Sequence, residues 1–457
     1  MARKPLGDIA PGRLDPATLA QHFDDVAPPL DDRQALIAAN RCYYCYDAPC
    51  IEACPTGIDI PEFIRGIATG NLKGAATTIL SSNTFGGSCA RVCPTEILCE
   101  GVCVRNTAES LPVQIGALQR HATDWVYETG APLFQRAPDS GFKVAVVGAG
   151  PAGLACAHRL ARAGHAVTVF DAKAKPGGLN EYGIAAYKLP DDFARKEIDW
   201  LLSIGGISIQ PDAALGEHIT LAQLRKDHDA VFLGMGLAGV NALGIEDEAL
   251  PGVRNAVDFI AELRQSDALA TLQVGRRIVV IGGGNTAIDA AIQSKRLGAE
   301  SVTLVYRRGP EAMSATTHEQ DFAKTEGVNV IHWAAPRGLI EKDGVLAGIE
   351  FEYTQLDANG KLAGSGDRFT LEADIVLKAI GQTFVPDPLR ESDMDLLELR
   401  GGRIAVDADF ATSLPDVWAG GDCVGGKTDL TVQAVDDGQR AATAIDRALL
   451  ARATKAA

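Results

Sequence analysis

The chain has 457 residues, of which 46% are hydrophobic and 22% charged; this composition is typical of a globular protein, and the length favours about three domains. The formal net charge is −16 without a run of about five like charges, so we expect neither a nucleic-acid partner nor binding to an anionic membrane surface. No apolar stretch approaches about 18 residues, which predicts no membrane span and leaves a cytoplasmic protein as the expectation.

Most of the cysteines lie in two runs near the N-terminus. Pro55 and Pro94 each follow a cysteine directly, as in bacterial ferredoxin sequences. Thiolates are soft ligands, and an iron-sulfur cubane needs four of them. The pattern therefore predicts two iron-sulfur clusters and a protein that moves electrons. The two runs are Cys42, Cys45, Cys50 and Cys54, then Cys89, Cys93, Cys99 and Cys103.

Two other uses of clustered cysteines compete with this interpretation. A secreted disulfide framework is disfavoured because the first residues, MARKPLGDIA, do not form an apolar signal segment. Structural zinc is disfavoured because its sites usually pair C-x2-C with C-x2-C, whereas these gaps are mixed. The two remaining cysteines, Cys156 and Cys423, have no C-x-x-C partner, and we expect them to pack in cores rather than form a redox disulfide.

The cysteine runs are embedded in helical patterns. Apolar residues recur at helical spacing before Cys42, over 61–83 with a break at Gly70, and over 113–130. We therefore predict a small helical domain over residues 1–138 that folds around its metal. A Pro-containing linker at 131–141 follows it.

From Lys143 onward the pattern changes to a buried strand, a glycine turn, a helix and a second strand. Glycines in a G-x-G-x-x-G turn permit a tight bend and let a pyrophosphate approach the amides at the helix N-terminus. Asp171 ends the second strand, where a carboxylate can accept hydrogen bonds from both ribose hydroxyls. The predicted contacts are Gly148, Ala149, Gly150, Pro151, Ala152, Gly153 and Asp171.

The same pattern returns at 277–308, which indicates a second dinucleotide-binding unit. Its second strand ends in arginines instead of an acid. Guanidinium groups can bind a 2′-phosphate, so the pattern favours NADPH over NADH, although arginines that form a solvated face would leave NADH possible. The predicted contacts are Gly283, Gly284, Asn285, Thr286, Arg307 and Arg308.

These units, with the segments YGIAAYKLP at 182–190 and VWAGGDCVGG at 417–426, resemble the iron-sulfur flavoproteins related to glutamate synthase small subunits and dihydropyrimidine dehydrogenases. The resemblance covers nearly the whole chain and implies an α/β fold. In that fold a helical iron-sulfur domain, 1–138, precedes two Rossmann-like domains. The FAD domain would span 139–275 and 374–457, and the inserted NAD(P)H domain 276–373.

The same resemblance implies further cofactor contacts. They follow Asp171, lie in the YGIAAYKLP segment and in VLKAIG at 376–381, and surround the Gly-Asp motif near the C-terminus. VLKAIG and its counterpart VFLGMG at 231–236 resemble the two crossover strands that leave and re-enter the FAD domain. Ala185 or Ala186 stands where the family has a proline. No general acid or base is required, so no catalytic residue is predicted in this chain. The implied contacts are Gly177, Gly178, Leu179, Lys188, Ile380, Gly381, Gly421, Asp422 and Thr431.

Two features favour the dihydropyrimidine dehydrogenase branch. The segment RCYYCYDAPC resembles its R-C-x-x-C-x-D-A-P-C start, and Gln119 stands where that branch has a glutamine ligand. The resemblance implies one 4Fe-4S cluster on Cys42, Cys45, Cys50 and Cys103, and another on Cys54, Cys93, Cys99 and Gln119. An eight-cysteine scheme with Cys89 in place of Gln119 stays open, as does a plain helix glutamine.

The function that the resemblance implies is electron input to dihydropyrimidine dehydrogenase. NAD(P)H would be oxidised through FAD, and electrons would pass through two 4Fe-4S clusters to an FMN-containing partner that reduces uracil or thymine. The chain stops at Ala457 without room for an FMN barrel of about 250 residues, so we expect a hetero-oligomer. The alternatives are a glutamate synthase small subunit, a redox sensor without turnover, and a stand-alone diaphorase.

Overall fold

The computed structural model describes residues 14–389, 397–426 and 428–456. Within these ranges the chain forms a helical N-terminal region followed by a region of helices and strands. The α-helices are α1 Pro16–His22, α2 Asp32–Ala39, α3 Pro49–Glu52, α4 Ile60–Ala68, α5 Leu72–Ser82, α6 Gly86–Val92, α7 Val104–Glu109, α8 Ile115–Thr129, α9 Pro151–Arg162, α10 Leu179–Tyr182, α11 Phe193–Leu202, α12 Leu221–Asp227, α13 Ala256–Arg264, α14 Asn285–Arg296, α15 Thr317–Thr325 and α16 Thr431–Ala456.

The strands begin only after the helical N-terminal region. They are β1 Lys143–Val147, β2 Ala166–Phe170, β3 Ile207–Gln210, β4 Ala230–Leu233, β5 Gly239–Val240, β6 Val253–Asn255, β7 Arg277–Ile281, β8 Ser301–Tyr306, β9 Asn329–His332, β10 Ala334–Lys342, β11 Val345–Leu356, β12 Leu362–Glu372, β13 Ile375–Lys378, β14 Gln382–Thr383, β15 Leu399–Arg400, β16 Arg403–Ile404 and β17 Val417–Ala419.

The described residues form two compact units. Unit 1 consists of residues 14–26, Tyr182–Pro190 and Gly239–Thr383. Unit 2 consists of Ala27–Glu181, Asp191–Ala238 and the described residues from Phe384 onward.

Unit 2 is built on a five-stranded parallel sheet in the order β17-β4-β1-β2-β3. The central strand β1 is apolar from Val144 to Val147 because both of its faces are covered. Helices α9 and α16 pack together over this sheet so closely that a Cβ on Gly438 would lie 2.1 Å from the carbonyl oxygen of Ala152. The core between them contains Leu154 and Ile445, both fully buried.

The cysteine runs lie in the helical layer of unit 2, whose core is formed by α2, α4, α5 and α8. Asp59 caps α4 by accepting a hydrogen bond from the amide of Glu62, and Asn71 caps α5 in the same way. Between the two helices Gly70 has a φ of +75°, a conformation that glycine adopts without strain. The predicted helices and the predicted break at Gly70 are confirmed.

Unit 1 contains a second five-stranded parallel sheet, in the order β6-β13-β7-β8-β9, and a three-stranded antiparallel sheet, β10-β11-β12. Helices α13 and α14 cover the parallel sheet, with Ile288 and Ile292 buried against it. The predicted α/β fold with two Rossmann-like nucleotide-binding parts is confirmed. Among the described residues, no helix combines the length and the apolar character that crossing a membrane requires.

Candidate redox site

The first glycine turn joins β1 to α9 in unit 2, and steric packing accounts for two of its glycines. Gly148 has a φ of +99°, and a Cβ there would lie 2.3 Å from the carbonyl oxygen of Gly234. A Cβ on Gly153 would lie only 1.9 Å from the carbonyl oxygen of Gly148. Gly150 differs, since its Cβ would meet nothing nearer than Gly178 Cα at 3.7 Å. The chain itself therefore leaves room at Gly150, where a pyrophosphate would approach.

The amides that would meet a phosphate are available. Helix α9 begins at Pro151, with Gly150 as its N-cap and no side chain capping its first amides. Asp171 follows β2 and lies beside the turn: its Oδ2 accepts a hydrogen bond from Ala149 N at 2.5 Å and its Oδ1 from Lys173 N at 2.7 Å. Burial raises the pKa of Asp171, and these two amides act in the opposite direction.

The other predicted flavin contacts of unit 2 lie around the same turn. Gly177 N donates to Ala149 O at 2.8 Å, and Leu179 is 41% exposed. Gly421, with a φ of +75°, lies so close to Ala152 that a Cβ would come within 2.8 Å of the alanine methyl. Thr431 Oγ1 donates to Asn180 Oδ1 at 3.1 Å, which joins the start of α16 to α10.

Asp422 lies beside Gly421 with an unusual environment for a carboxylate. Burial raises the pKa of Asp422 to about 6, and Asp429 contributes in the same direction while Arg403 opposes it. Gly421 is held in turn by Asp437 on α16, whose Oδ2 accepts from Gly421 N at 3.0 Å. Sequence reasoning missed Asp437; its position as a buried acid on an otherwise apolar helix face was the available signal.

Lys188 forms salt bridges with two carboxylates of unit 1. Its Nζ lies 2.8 Å from Asp289 Oδ1 and 2.7 Å from Glu319 Oε1, and its side chain is 12% exposed. Burial alone would lower the pKa of Lys188, but the two carboxylates outweigh it and the net change is a rise. The hydroxyl of Tyr187 also donates to Asp289. These contacts pair Lys188 with two carboxylates of its own unit, and its contact with the flavin stays a prediction.

The second glycine turn joins β7 to α14 in unit 1. Gly282 has a φ of +153°, and its Cβ would lie 2.1 Å from the carbonyl oxygen of Ala379. Gly284 is the N-cap of α14, and no side chain caps the first amides of that helix. The predicted contacts Gly283, Asn285 and Thr286 belong to the same turn and first helical residues, while the carbonyls of Ile380 and Gly381 accept hydrogen bonds from Asn241.

The two arginines predicted to select the nicotinamide cofactor follow β8. Arg307 and Arg308 are both exposed, and neither guanidinium pairs with a carboxylate within the described part of the chain. Their backbone carbonyls hold neighbouring segments, since Arg307 O accepts from Thr354 Oγ1 and Arg308 O from Trp333 N. Two cations that lack a carboxylate partner among the described residues thus lie at the carboxyl end of the strand, where they could contact a ribose phosphate.

Four cysteines from both runs line one cavity in unit 2: Cys42, Cys45, Cys50 and Cys103. Its walls are otherwise mainly apolar and include Ile60, Ile64 and Ile115. Burial, with a smaller contribution from the neighbouring thiols, raises the pKa of Cys50 to about 12. Thiols in such a place become thiolates only when a metal replaces their protons.

The other four cysteines of the runs, Cys54, Cys89, Cys93 and Cys99, form a second group. A hydrogen bond with Cys89 and then burial raise the pKa of Cys93, and Cys54 and Cys99 act on it as neighbouring charges. Burial likewise raises the pKa of Cys99. Gln119 on α8 lies next to this group's helix α6, because its Nε2 donates to Gly86 O at 2.7 Å.

One metal ion and a 4Fe-4S cluster require different arrangements of their ligands. A 4Fe-4S cluster binds each thiolate through a different iron, so its four sulfurs lie apart. In the ranges 14–389, 397–426 and 428–456, no three His, Cys, Asp or Glu side chains converge on a site for one metal ion.

Sequence reasoning also missed Glu197. This carboxylate is fully buried on α11 and contacts the start of α6, which carries Cys89. The signal was present in the helical pattern, since Glu197 falls on the same face as the apolar residues Phe193, Ile198 and Leu201.

Comparison with known proteins identifies the class. The family model for pyridine nucleotide-disulphide oxidoreductases matches residues 142–438, and that for dihydropyrimidine dehydrogenase domain II, 4Fe-4S cluster, matches residues 19–131. The chain therefore belongs to the pyridine nucleotide-disulphide oxidoreductase family and carries a 4Fe-4S domain at its N-terminus. It is an NAD(P)H-dependent oxidoreductase and a flavoprotein, and the two open glycine turns fit FAD and NAD(P)H.

Curated relatives lie in both branches predicted from the sequence. The NAD-dependent dihydropyrimidine dehydrogenase subunit PreT of Salmonella typhimurium is 35% identical over 428 residues, 93% of this chain and 96% of the relative. PreT of Escherichia coli K12 is 35% identical over 425 residues, with the same coverage. The glutamate synthase (NADPH) small chain of Escherichia coli K12 is also 35% identical, over 444 residues and 93% of each chain. The predicted resemblance is confirmed.

Solved structures support the fold. Thioredoxin reductase of T. acidophilum matches with a TM-score of 0.53 at 21% identity, over 68% of this chain and 99% of that one. FprA from Mycobacterium tuberculosis matches with a TM-score of 0.56 at 22% identity, over 70% of this chain and 86% of that one. At these identities both structures support the fold alone.

The contrast between Gly150 and Gly153 is testable. We expect Gly153→Ala to distort the turn through its clash with Gly148 O, and so to lower both FAD content and the stability of the apoprotein. Gly150→Ala fits the empty turn but fills the space for the pyrophosphate, so it should weaken FAD binding about tenfold or more while apoprotein stability stays near wild type. Flavin absorbance and thermal unfolding measure both effects; a Gly150→Ala protein with undiminished FAD affinity would contradict the assignment.

The contacts of Lys188 predict a structural effect. Lys188→Met leaves Asp289 and Glu319 buried without their cation, which should lower the free energy of unfolding of the apoprotein by about 3–5 kcal/mol. Lys324→Met, which removes an exposed ion pair from the same unit, should cost less than about 1 kcal/mol. Urea denaturation compares the two. If Lys188→Met instead lost FAD with unchanged apoprotein stability, Lys188 would be a flavin contact as the sequence predicted.

Proposed function

We propose that the protein is the electron-input subunit of a dihydropyrimidine dehydrogenase. In this role it oxidises NAD(P)H with bound FAD and delivers the electrons, through two 4Fe-4S clusters, to an FMN-containing partner that reduces uracil or thymine. The observation that carries the proposal is the sorting of eight cysteines into two groups of four, with Gln119 beside the second group. FAD supplies the conversion from the two electrons of a hydride to the single electrons that a cluster accepts.

The packing of unit 2 supports an order for the two cysteine groups. Cys89 and Cys93 belong to the same apolar core as Ala149 and Ala152 of the flavin turn. Cys42, Cys50 and Cys103 of the first group pack instead against the core of the helical layer. Cys54 and Cys99 of the second group also pack there, so the second group contacts both cores and the first group only one. Electrons that enter at the flavin would therefore reach the second group first and leave through the first group.

A glutamate synthase small subunit is the second candidate, because relatives of both kinds are 35% identical to this chain over at least 93% of its length. Overall identity does not separate them. The feature that favours the pyrimidine branch is local: Gln119 is 7% exposed, and its amide is oriented by the bond to Gly86. A plain surface glutamine would have no such placement.

Substrate specificity of the assembled complex tests the proposal. The chain is co-produced with candidate partner subunits, purified as a complex, and assayed for NAD(P)H oxidation with uracil, and separately with glutamine plus 2-oxoglutarate. We expect turnover with uracil only, and FMN in the partner. Turnover with glutamine plus 2-oxoglutarate alone would select the glutamate synthase role. Turnover with neither, but rapid dye reduction by the isolated chain, would select a diaphorase.

For the nicotinamide cofactor we propose that Arg307 and Arg308 allow NADPH to bind. The names of the relatives give different nicotinamide cofactors: PreT is called NAD-dependent, and the glutamate synthase small chain carries NADPH in its name. Exposed guanidinium groups without carboxylate partners can form charge-assisted hydrogen bonds to a 2′-phosphate at little desolvation cost.

The double variant Arg307→Ala/Arg308→Ala should raise the KM for NADPH about tenfold, the equivalent of one lost charge-assisted bond, and leave that for NADH nearly unchanged. Arg368→Ala is the matched control, because it removes an exposed arginine of unit 1 that pairs with Glu350. Steady-state kinetics with both cofactors give the ratio. An unchanged NADPH to NADH ratio in the double variant would refute the role of these arginines.

A further inference from the structure

Glu197 is a buried carboxylate that none of the predicted cofactor contacts explains. It lies on α11 with 0% exposure. Its Oε1 accepts hydrogen bonds from Gly87 N at 2.9 Å, Ser88 N at 3.1 Å and the Tyr127 hydroxyl at 2.9 Å. Its Oε2 accepts a further bond from the Ser88 hydroxyl. Four donors from two other helical segments thus converge on one side chain.

The segment that Glu197 holds is α6. This helix carries Cys89 and ends at Cys93, and both belong to the second cysteine group. Gly87 has no room to move towards α11, because a Cβ there would lie 2.6 Å from the rings of both Phe193 and Tyr127. The two helices are therefore in direct contact, and Glu197 supplies the polar bonds across that contact.

Gln119, the alternative to Cys89 as fourth ligand, also contacts α6. Gln119 Nε2 donates to Gly86 O, so the amide group of Gln119 is oriented by the first residue of α6. Arg91 of α6 also links this helix to α8, because its guanidinium donates to Asp124; a second bond, to Gly87 O, lies within α6. The positions of Cys89, Cys93 and Gln119 hence depend on how α6 is docked.

A buried carboxylate is a poor way to gain stability alone. Removing it from water is costly, and a well-packed apolar side chain of similar volume often stabilises a core equally well. Burial accordingly raises the pKa of Glu197, and the Ser88 and Tyr127 donors offset part of that change. What the acid adds is direction, because its oxygens accept from two successive amides and fix the start of α6 in one orientation.

We propose that Glu197 is the positioning residue of the second cluster: by holding the start of α6 it sets Cys93 and the fourth ligand, whether Cys89 or Gln119, around one 4Fe-4S cluster. This inference rests on the proposed two-cluster function. On this proposal α11, a helix of the flavin-binding part, positions the ligands of a cluster in the iron-sulfur part.

Three variants of the full-length protein test it. Glu197→Ala removes all four bonds and should lose at least half of the second cluster's EPR signal after reduction. Glu197→Gln should restore the signal, because its amide oxygen can accept from the Gly87 and Ser88 amides while the Ser88 hydroxyl turns to accept from the new NH2 group. Asp199→Asn, an exposed carboxylate on the same helix, should match wild type.

The readouts keep cluster ligation separate from general folding. Cys45→Ser, which alters only the first group, assigns the two EPR signals, and flavin absorbance follows the FAD site in the same samples. Selective loss of the second signal in Glu197→Ala supports the proposal. Full retention of that signal, or equal loss of both clusters and FAD, overturns it.

If Glu197→Ala does not accumulate in soluble form, Glu197→Asp takes its place. It keeps the carboxylate but withdraws it by one methylene, so partial loss of the second signal supports the proposal and full retention overturns it. Failure of the underlying function is distinguishable, since wild-type protein would then bind far fewer than the about eight irons expected for two 4Fe-4S clusters.

Discussion

The helical layer of unit 2 depends on what its partly buried thiols bind. Eight cysteines lie among small helices whose core is rich in alanine, and burial raises the pKa of Cys50 and Cys99. Without a metal these thiols remain protonated and contribute little more than small apolar side chains. Cluster binding would release the protons and would join the helices and loops that carry the thiolates through iron-sulfur bonds. Binding free energy is then also folding free energy for this layer.

That constraint extends into the flavin-binding part because the two share one apolar core. Phe85 and Cys89 pack in the same cluster of buried residues as Leu154 of α9 and Val144 of β1. Close packing transmits changes in position, since interiors have few voids to absorb them. The turn that would hold FAD and the helix that carries Cys89 thus belong to one packed core within unit 2.

The sequence predicted those features of the fold that depend on interactions between residues close together in the chain. The turn at Gly148 and the helix break at Gly70 were readable because positive φ angles select glycine, and each helix on either side of the break has its own cap. Contacts between distant segments were not readable. Lys188 pairs with Glu319, which is 131 residues away, and Glu197 bonds to Ser88, 109 residues away. Contacts between residues so far apart in the chain leave no periodic pattern in the sequence.

The unresolved choice between Gln119 and Cys89 has a physical consequence for the reaction. Net charge is one of the factors that set the potential of an iron-sulfur cluster, and a neutral amide ligand leaves one negative charge fewer than a thiolate. A cluster with Gln119 as its fourth ligand would accept electrons more readily. Cys89 is 2% exposed and bonds to Cys93, whereas Gln119 already uses its Nε2 on Gly86, which leaves Oε1 as its only ligating atom. Both residues are attached to α6, so the orientation of this short helix would decide which atom faces the iron of the proposed second cluster. Through that ligand it would also decide how readily the cluster accepts electrons from the flavin.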